Sequence, residues 1–433
     1  MTQDLERKAK KVIRKLLEHG YEAYMVGGCV RDKQLNRPVK DYDIATAAKP
    51  EQVQQLFQRT IPTGLQHGTV SVRMDDCLFE VTTFRTESGY EDFRHPTEVQ
   101  FIDSLYEDLR RRDFTMNAMA LDIDGHLIDP FDGVNDMKKN LLRCVGDANE
   151  RFQEDALRML RCIRFASQYG LEIENQTWLA LLKQAPLLEH IAMERVRMEL
   201  ERMIAEAAPA HAVQLLEGSR LLDYVKQSLR LADLNQEKLS GDWSTLNDPL
   251  LKWAYLYLSM GVSAAETEQE LRALTFSKQQ VEQVRQVIAA AHELSRQLAL
   301  EPNEDGLQQA WKLTVISYGQ ESIVGLHQIL QASPGVLTEL GVADKWSKSL
   351  ITCGLTWLKD MPVHSLEELD LGGRELLARL SKPAGPWVSK VLAHLLRETA
   401  LKRLANESDL LLAEAERFYE SIIQQESGAH EHK

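Results

Sequence analysis

The stretch GGCVRDKQLNRPVKDYDIAT, residues 27–46, joins one strand-like run to another through a short helix. EAYMV precedes it and ends at the glycine pair Gly27-Gly28. Two glycines at a strand end let backbone N–H groups approach a phosphate closely. The turn then opens a helix, whose N-terminus favours anions. Arg31 can add charge to a bound phosphate or pair with Asp32. At the far end, DYDIAT reads as a strand, in which Asp41 and Asp43 at i and i+2 share a face while Ile44 points the other way. Two hard oxygen donors at one point suit Mg2+. A solvated strand edge carries such pairs too, and it is the glycine turn about a dozen residues upstream that makes the combination specific.

Working outward, a charged amphipathic helix is expected over about 4–18, stopping at Gly20. Pro50 opens PEQVQQLF at the first helical position. GTVSVR and CLFEVTTF alternate as two antiparallel strands around Asp75-Asp76, and MNAMALDI and HLIDP form a further hairpin at Asp124-Gly125. The N-terminal part, 1–147, is therefore an α+β module with a mixed or antiparallel sheet and flanking helices. Beyond 147 the apolar period becomes helical and strand signals vanish. The remainder is read as all-α, with boundaries near 206 and 298, giving segments 148–206, 207–298 and 299–433.

Three further segments carry candidate chemistry. Glu80, in the strand LFEVTTF, is a third carboxylate candidate, since two-metal phosphoryl transfer needs several; an exposed strand Glu is the alternative. In RRRDFTMNA, residues 110–118, the arginines, Arg112 among them, can neutralise a triphosphate. Asp113 can accept from a ribose hydroxyl, with Asn117 joining it from four residues on. In RFQEDALRMLRCIRF, residues 151–165, Asp155 and Arg158 stand at i and i+3 of one helix and share its face. Asp accepts from the exocyclic amine of cytosine or adenine, and Arg donates to the ring acceptor beside it. Guanine and uracil present the opposite pattern at both positions, so one acceptor–donor pair takes C and A and rejects G and U. Arg161, one turn further, is placed to stack on a base or reach phosphate. Arg164 continues a basic track with Arg151, Arg158 and Arg161.

GGCVRD, DYD, FEVTTFR, RRRDFTMNA, EDALRMLR and MERVRMEL, in this order, resemble the bacterial class II CCA-adding enzymes and their poly(A) polymerase relatives, of the polymerase-β-like nucleotidyltransferase superfamily. The resemblance is dense over about 20–205 and returns at KPAGPWV, 382–388. It implies a catalytic head, then a neck with the nucleotide-templating helix, a body and a tRNA-binding tail. It implies Asp41 and Asp43 as metal ligands with Glu80 alongside, and Gly27, Gly28 and Arg31 at the triphosphate. Arg112 and Asp113 fall in the motif linked to ribose selection. Asp155 and Arg158 become the template that pairs with CTP and then ATP, with Arg161 stacked on the base and Glu194 and Arg195 as braces. TESGYEDFRHP, 86–96, matches the loop associated with switching from C to A addition. The expected activity is addition of C, C and A to the 3′ end of tRNA. An A-adding or poly(A)-forming enzyme is the sister alternative, and an RNA-binding protein with an inactive head the alternative of another class.

Composition narrows the field. The net charge of −14 does not advertise a nucleic-acid binder, so RNA must be held by local basic tracks. Net charge is −5 over 1–150, zero over 151–200 and −9 over the rest. No run of about 18 apolar residues suggests a membrane span. The charged N-terminus lacks a secretory core, so the cytoplasm is expected. The five cysteines are too scattered for a zinc site and are read as reduced thiols. His430 and His432 are read as part of a solvated tail.

Overall fold

The computed structural model describes residues 2–65, 68–90, 96–205, 209–299 and 303–428. The chain divides into two compact units, Met1–Asp233 and Leu234–Lys433.

The first unit opens with α1 (Thr2–Glu18), β1 (Ala23–Val26), α2 (Gly28–Gln34), β2 (Asp43–Thr46) and α3 (Pro50–Leu56). Then come β3 (Thr60–Gly64), β4 (Thr69–Met74) and β5 (Cys77–Thr83). The main sheet is completed by β8 (Ala120–Leu121) and β9 (Leu127–Ile128), in the order β3-β4-β5-β2-β1-β8-β9. It is a mixed sheet: β2 and β5 run parallel, and the other neighbours antiparallel. One face carries Val70, Val72, Phe79 and Val81, and α1 turns its buried stripe of Ala9, Val12, Ile13 and Leu16 toward the same core. On the other face Val26, Ala45, Phe84, Leu109, Ala118, Ala120 and Val145 form a second cluster. A separate antiparallel ribbon pairs β6 (Arg85–Tyr90) with β7 (Pro96–Phe101).

Several expectations need correction. The DYD segment is not all strand: pairing begins at Asp43, opposite Val26, and Asp41 and Tyr42 precede it. Alternation nonetheless extends back, with Tyr42 and Ile44 buried and Asp41 and Asp43 open, so both carboxylates still lie on the same side. The β8–β9 hairpin is only two residues per strand, because Thr115–Asn117 turns as a 3-10 helix upstream of it. Residues 86–90 and 96 lie in the β6–β7 ribbon, and 91–95 lie outside the described residues. Beyond 147 strands do not vanish entirely: β10 (Leu141–Leu142) pairs parallel with β11 (Glu172–Ile173).

Helices complete this unit: α4 (Leu105–Arg110), α5 (Gly133–Lys138), α6 (Ala148–Glu154), α7 (Leu157–Tyr169), α8 (Asn175–Gln184), α9 (Met193–Ala205) and α10 (Pro209–Ser219). α7 is buried on nearly every side, Arg158 and Arg164 included. Its neighbours therefore have to supply partners for the charges it carries.

The second unit is helical: α11 (Pro249–Ser259), α12 (Ala264–Ala273), α13 (Lys278–Leu298), α14 (Glu304–Tyr318), α15 (Gln320–Ala332), α16 (Asp344–Lys359), α17 (Gly373–Leu380), α18 (Trp387–Ala400) and α19 (Ser408–Gly428). Ser263 with Glu266, and Ser277 with Gln280, close capping boxes at the starts of α12 and α13. Trp253, Tyr255, Tyr257 and Trp311 anchor its core. Trp311 Nε1 donates to Gly354 O at 3.0 Å, and a Cβ on Gly354 would stand 3.0 Å from that indole, so the glycine permits the approach. Among the described residues no helix is long and apolar enough to cross a membrane. His430 and His432 lie outside the described residues.

Candidate active site

A cleft of about 640 Å³ opens in the first unit, and of the site candidates it is lined by Gly27, Gly28, Arg31, Asp41, Asp43, Arg112, Asp113, Asn117, Asp155, Arg158, Arg161 and Arg164. Glu80 does not line it. It stands on β5 beside β2, where the pairing of Ile44 with Val81 sets Glu80 next to Asp43.

Gly27 caps α2 with φ +73°. That conformation favours glycine, and a Cβ here would stand 2.8 Å from Arg112 Nη1, so the guanidinium would have to shift. The glycine turn thus brings backbone and guanidinium together at the cleft. Arg112 Nη2 in turn donates to Asp108 Oδ2 at 3.2 Å, and Arg111 Nη2 donates to Asp108 Oδ1 at 2.7 Å. Asp108 is 1% exposed. Burial alone would raise its pKa, but the two guanidiniums hold it below the usual carboxylate range.

The carboxylates behave differently. Burial against the cleft floor, then the charges of Asp41 and Glu80, push the Asp43 carboxyl up to about 6 against the opposing pull of Arg112. Asp43 stays open to solvent on the cleft side. Three acidic groups gathered with one opposing arginine make a donor set of oxygens alone, which suits a hard divalent cation.

On the opposite wall Asp113 is fully engaged. Its Oδ1 accepts from Phe114 N at 2.8 Å and Asn117 Nδ2 at 2.9 Å, and its Oδ2 accepts from Arg161 Nε at 2.9 Å and Nη2 at 2.6 Å. Burial would raise its pKa, but Arg161 and Asn117 hold it far below the ordinary value. Four bonds fill a carboxylate's acceptor capacity. The expected bond from Asp113 to a ribose hydroxyl therefore has no vacant lone pair in this state. Asn117 relays the chain: its Oδ1 accepts from Arg31 Nη1 at 2.6 Å, and Arg31 Nε donates to Asp32 at 3.0 Å. Arg161 is likewise paired with Asp113 here.

Asp155 and Arg158 are not on one helix. α6 ends at Glu154, Asp155 is extended (φ −140°, ψ 102°), and α7 starts at Leu157. Asp155 serves the new helix by accepting from Leu157 N at 3.1 Å, and Arg195 of α9 holds its Oδ2 at 3.1 Å. Arg158 sits in the first turn of α7. Its Nη1 donates to Arg151 O at 3.1 Å and Glu154 Oε2 at 2.6 Å, and its Nη2 to Arg111 O at 3.0 Å. Of five N–H donors two remain for a ligand. Arg164 pairs with the buried Glu199 at 2.6 Å, which also holds Arg202 at 3.1 Å.

Arg111, Arg202, Leu157 and Phe165 also line the cleft, without having been singled out in the sequence. Arg111 was hidden within an arginine run, and Glu199 and Asp108 carry no motif of their own. Their signal was helical spacing: Asp108 lies three and four residues before Arg111 and Arg112. Elsewhere Asp122, Asp124 and His126 cluster at the β8–β9 turn, where Asp122 accepts from His126 Nδ1 at 2.8 Å and from two backbone N–H groups. Those bonds account for the cluster as a hairpin turn.

Comparison with known proteins places the chain in a family. Residues 23–143 match the family described as poly A polymerase head domain, and 244–415 match tRNA nucleotidyltransferase domain 2. A CCA-adding enzyme of Enterococcus faecalis is 37% identical over 419 residues, covering 95% of this chain and 96% of that protein. The chain belongs to the family of CCA-adding enzymes. One of Bacillus cytotoxicus is 36% identical, with 94% and 96% covered. The crystal structure of the Bacillus stearothermophilus CCA-adding enzyme in complex with CTP superposes with a TM-score of 0.78 at 34% identity, covering 97% of this chain and 98% of that one. As a member of a CCA-adding family the protein is an enzyme, a nucleotidyltransferase.

Proposed function

We infer that this enzyme adds C, C and A to the 3′ end of tRNA from CTP and ATP, and that the cleft between Asp43 and Asp155 is where each nucleotide is joined. The observation that carries the reading is the convergence on one cleft of a carboxylate pair, a glycine–arginine cradle and a polar wall suited to the edge of C or A. The acceptor's 3′-oxygen forms a bond to the α-phosphorus as the bond to the β-phosphate breaks, releasing pyrophosphate.

Asp41 and Asp43, with Glu80 beside them, are the residues that would hold divalent cations, and Mg2+ fits their all-oxygen donor set. When bound, such ions lower the pKa of an attacking hydroxyl and offset charge on pyrophosphate. Gly27, Gly28, Arg31 and Arg112 receive the triphosphate. Asp155 accepts from the exocyclic amine of the base, and Arg158 spends its spare donors on the ring nitrogen. Asp113 and Asn117 act by holding Arg161 and Arg31. For Asp113 to accept from a ribose hydroxyl one of its four bonds must open, whereas Arg161, with two of five N–H donors on Asp113, keeps three for a ligand. The division at about 147, 206 and 298 into head, neck, body and tail completes the proposal, as does the cytoplasm as its place of work.

The test is incubation of the purified protein with Mg2+ and a tRNA transcript lacking CCA, offered CTP, ATP or both, with the new 3′ ends sequenced. Two C residues with CTP alone, and CCA followed by arrest with both, are expected. A-only products on a CC-ended tRNA, or long A tails, would assign a sister activity.

A further inference from the structure

The catalytic carboxylates are one end of a straight row across the main sheet. Ile61 pairs with Ser71, and Ser71 with Glu80. The parallel pairing of β2 with β5 then puts Asp43 beside Glu80. Residues directly paired across a sheet point to the same face, so this row runs from Asp43 out to Ile61 over three strand spacings, about 14 Å. The next row on that face, two residues along or about 7 Å, holds Leu78 opposite Arg73. Arg59 adjoins it, since Arg73 N donates to Arg59 O at 2.9 Å.

On the β1 side Val26, opposite Asp43, is buried in the second core cluster, and the nucleotide cleft opens just beyond it at Gly27 and Gly28. On the β5–β3 side Glu80 is exposed, while Ser71 between Glu80 and Ile61 is buried and hydrogen-bonded to Thr63 at 2.9 Å. Ile61 is 51% exposed and Leu78 52%. Arg59 and Arg73 are exposed, and neither guanidinium has a hydrogen-bond or ion-pair partner among the described residues. Most other exposed arginines among the described residues sit in i,i+3 or i,i+4 pairs, as at Arg272–Glu268 and Arg296–Glu293. Two uncommitted guanidiniums beside two bare aliphatic side chains, in continuity with catalytic carboxylates, make a surface for a single nucleic-acid strand.

We propose that the open face of β3, β4 and β5 seats the last nucleotides of the acceptor RNA, with Arg59 and Arg73 on its phosphates and Ile61 and Leu78 against a base or ribose. The inference rests on the site reading above, in which the incoming nucleotide fills the cleft on the β1, α2 and α7 side of Asp43. In-line displacement requires the attacking 3′-oxygen to arrive opposite the departing pyrophosphate. With the nucleotide in that cleft, the exposed side chains that continue from Asp43 across the sheet are Glu80 and, beyond the buried Ser71, Ile61. The strand is thereby directed across Glu80 to Asp43.

The test uses the full-length enzyme and tRNA transcripts lacking CCA. In Arg59→Ala/Arg73→Ala, and separately in Ile61→Ser/Leu78→Ser, the KM for tRNA should rise about tenfold while the KM for CTP stays unchanged. The arginine variant should also lose about one unit of salt slope per phosphate contact removed. All four side chains are exposed, and an unchanged melting temperature will show that the fold holds. An unchanged tRNA KM, or parallel rises in both KM values, would overturn the proposal. A second measurement needs no turnover. A photoreactive 4-thiouridine at the acceptor's 3′ end should crosslink within residues 59–80, and crosslinks confined elsewhere would overturn the proposal too. Absence of nucleotide incorporation by the unaltered enzyme would instead count against the assigned activity, and the crosslink would still report where RNA lies.

Discussion

Asp43 and Asp113 are both carboxylates of one cleft, and the protein drives them in opposite directions. Asp43 is pushed up by burial, Asp41 and Glu80, so the folded protein binds that proton more tightly than the unfolded chain does. The stability it contributes is present below the unfolded value and is lost as pH rises toward about 6. At neutral pH the ionised group therefore costs stability, on the order of 1 kcal/mol once its solvent access is discounted. Asp43→Asn should melt slightly higher than the unaltered enzyme in chelator, and should gain nothing from Mg2+, while incorporation of every nucleotide is lost. An equal Mg2+ gain in the variant, read by thermal melting, would remove Asp43 from the ion site. Asp113 is the reverse case. Its pKa is held far down, mainly by Arg161 against the effect of burial, so its contribution is full above the unfolded value near 3.8 and drains away as pH falls below it. Asp113→Asn should cost about 2 kcal/mol at pH 7, for the lost charge-assisted bonds to Arg161. It should also flatten the decline in denaturant midpoint between pH 4 and 2. A parallel decline in both proteins would show that other groups carry the acid sensitivity.

At the scale of elements, the break between α6 and α7 sets where Asp155 and Arg158, the proposed base readers, stand. A continuous helix would have fixed Asp155 and Arg158 by spacing alone. Here Asp155 is extended, and its direction is set by Arg195 of α9 and by the first turn of α7. Selectivity should then depend on the brace as well as on the pair. Asp155→Ala should raise UMP and GMP incorporation relative to CMP at least tenfold, with tRNA affinity little changed; each hydrogen-bond mismatch is worth about 1–3 kcal/mol. Arg195→Ala should move selectivity in the same direction by less, and Arg195→Lys should partly restore it. Misincorporation assays with each nucleotide alone decide this, and unaltered selectivity in Asp155→Ala would exclude templating by this carboxylate. The break also marks the limit of sequence reading. EDALRMLR contains neither Gly nor Pro, and its helical period runs through Asp155 without interruption. The break is supported from outside that segment, by Arg195 and by Arg111 O on Arg158. Strands with one buried face were legible, as β4 and β5 around Asp75-Asp76 show, because period-two burial is local information. The candidate residues other than Glu80 were legible as a group that the fold brings to one cleft. Their partners were not, since Asp108 and Glu199 are single acids on helices whose role exists only once Arg112 and Arg164 are brought against them.

Over the whole molecule, a net charge of −14 must meet a polyanionic substrate. Long-range attraction cannot bring the two together, since beyond a Debye length of about 10 Å at 0.1 M salt each presents mainly its own negative charge. Within that distance, clustered cations prevail. The cleft arginines are one such cluster, and Arg59 and Arg73 add two more without partners among the described residues. Basic nucleic-acid binders gain speed from electrostatic steering, and their association slows steeply as salt is added. This enzyme should differ. Between about 20 and 150 mM salt its association rate constant with tRNA should hold steady or rise, because screening removes the mutual repulsion of the two bodies. The dissociation rate should climb over the same range, since each neutralised phosphate contributes a slope of about −0.7 to −0.9 to the affinity in log–log form. Stopped-flow fluorescence with labelled tRNA separates the two constants. An association rate that falls tenfold across that range would mean that a basic face dominates the field despite the overall charge, and short-range capture would have to give way to steering.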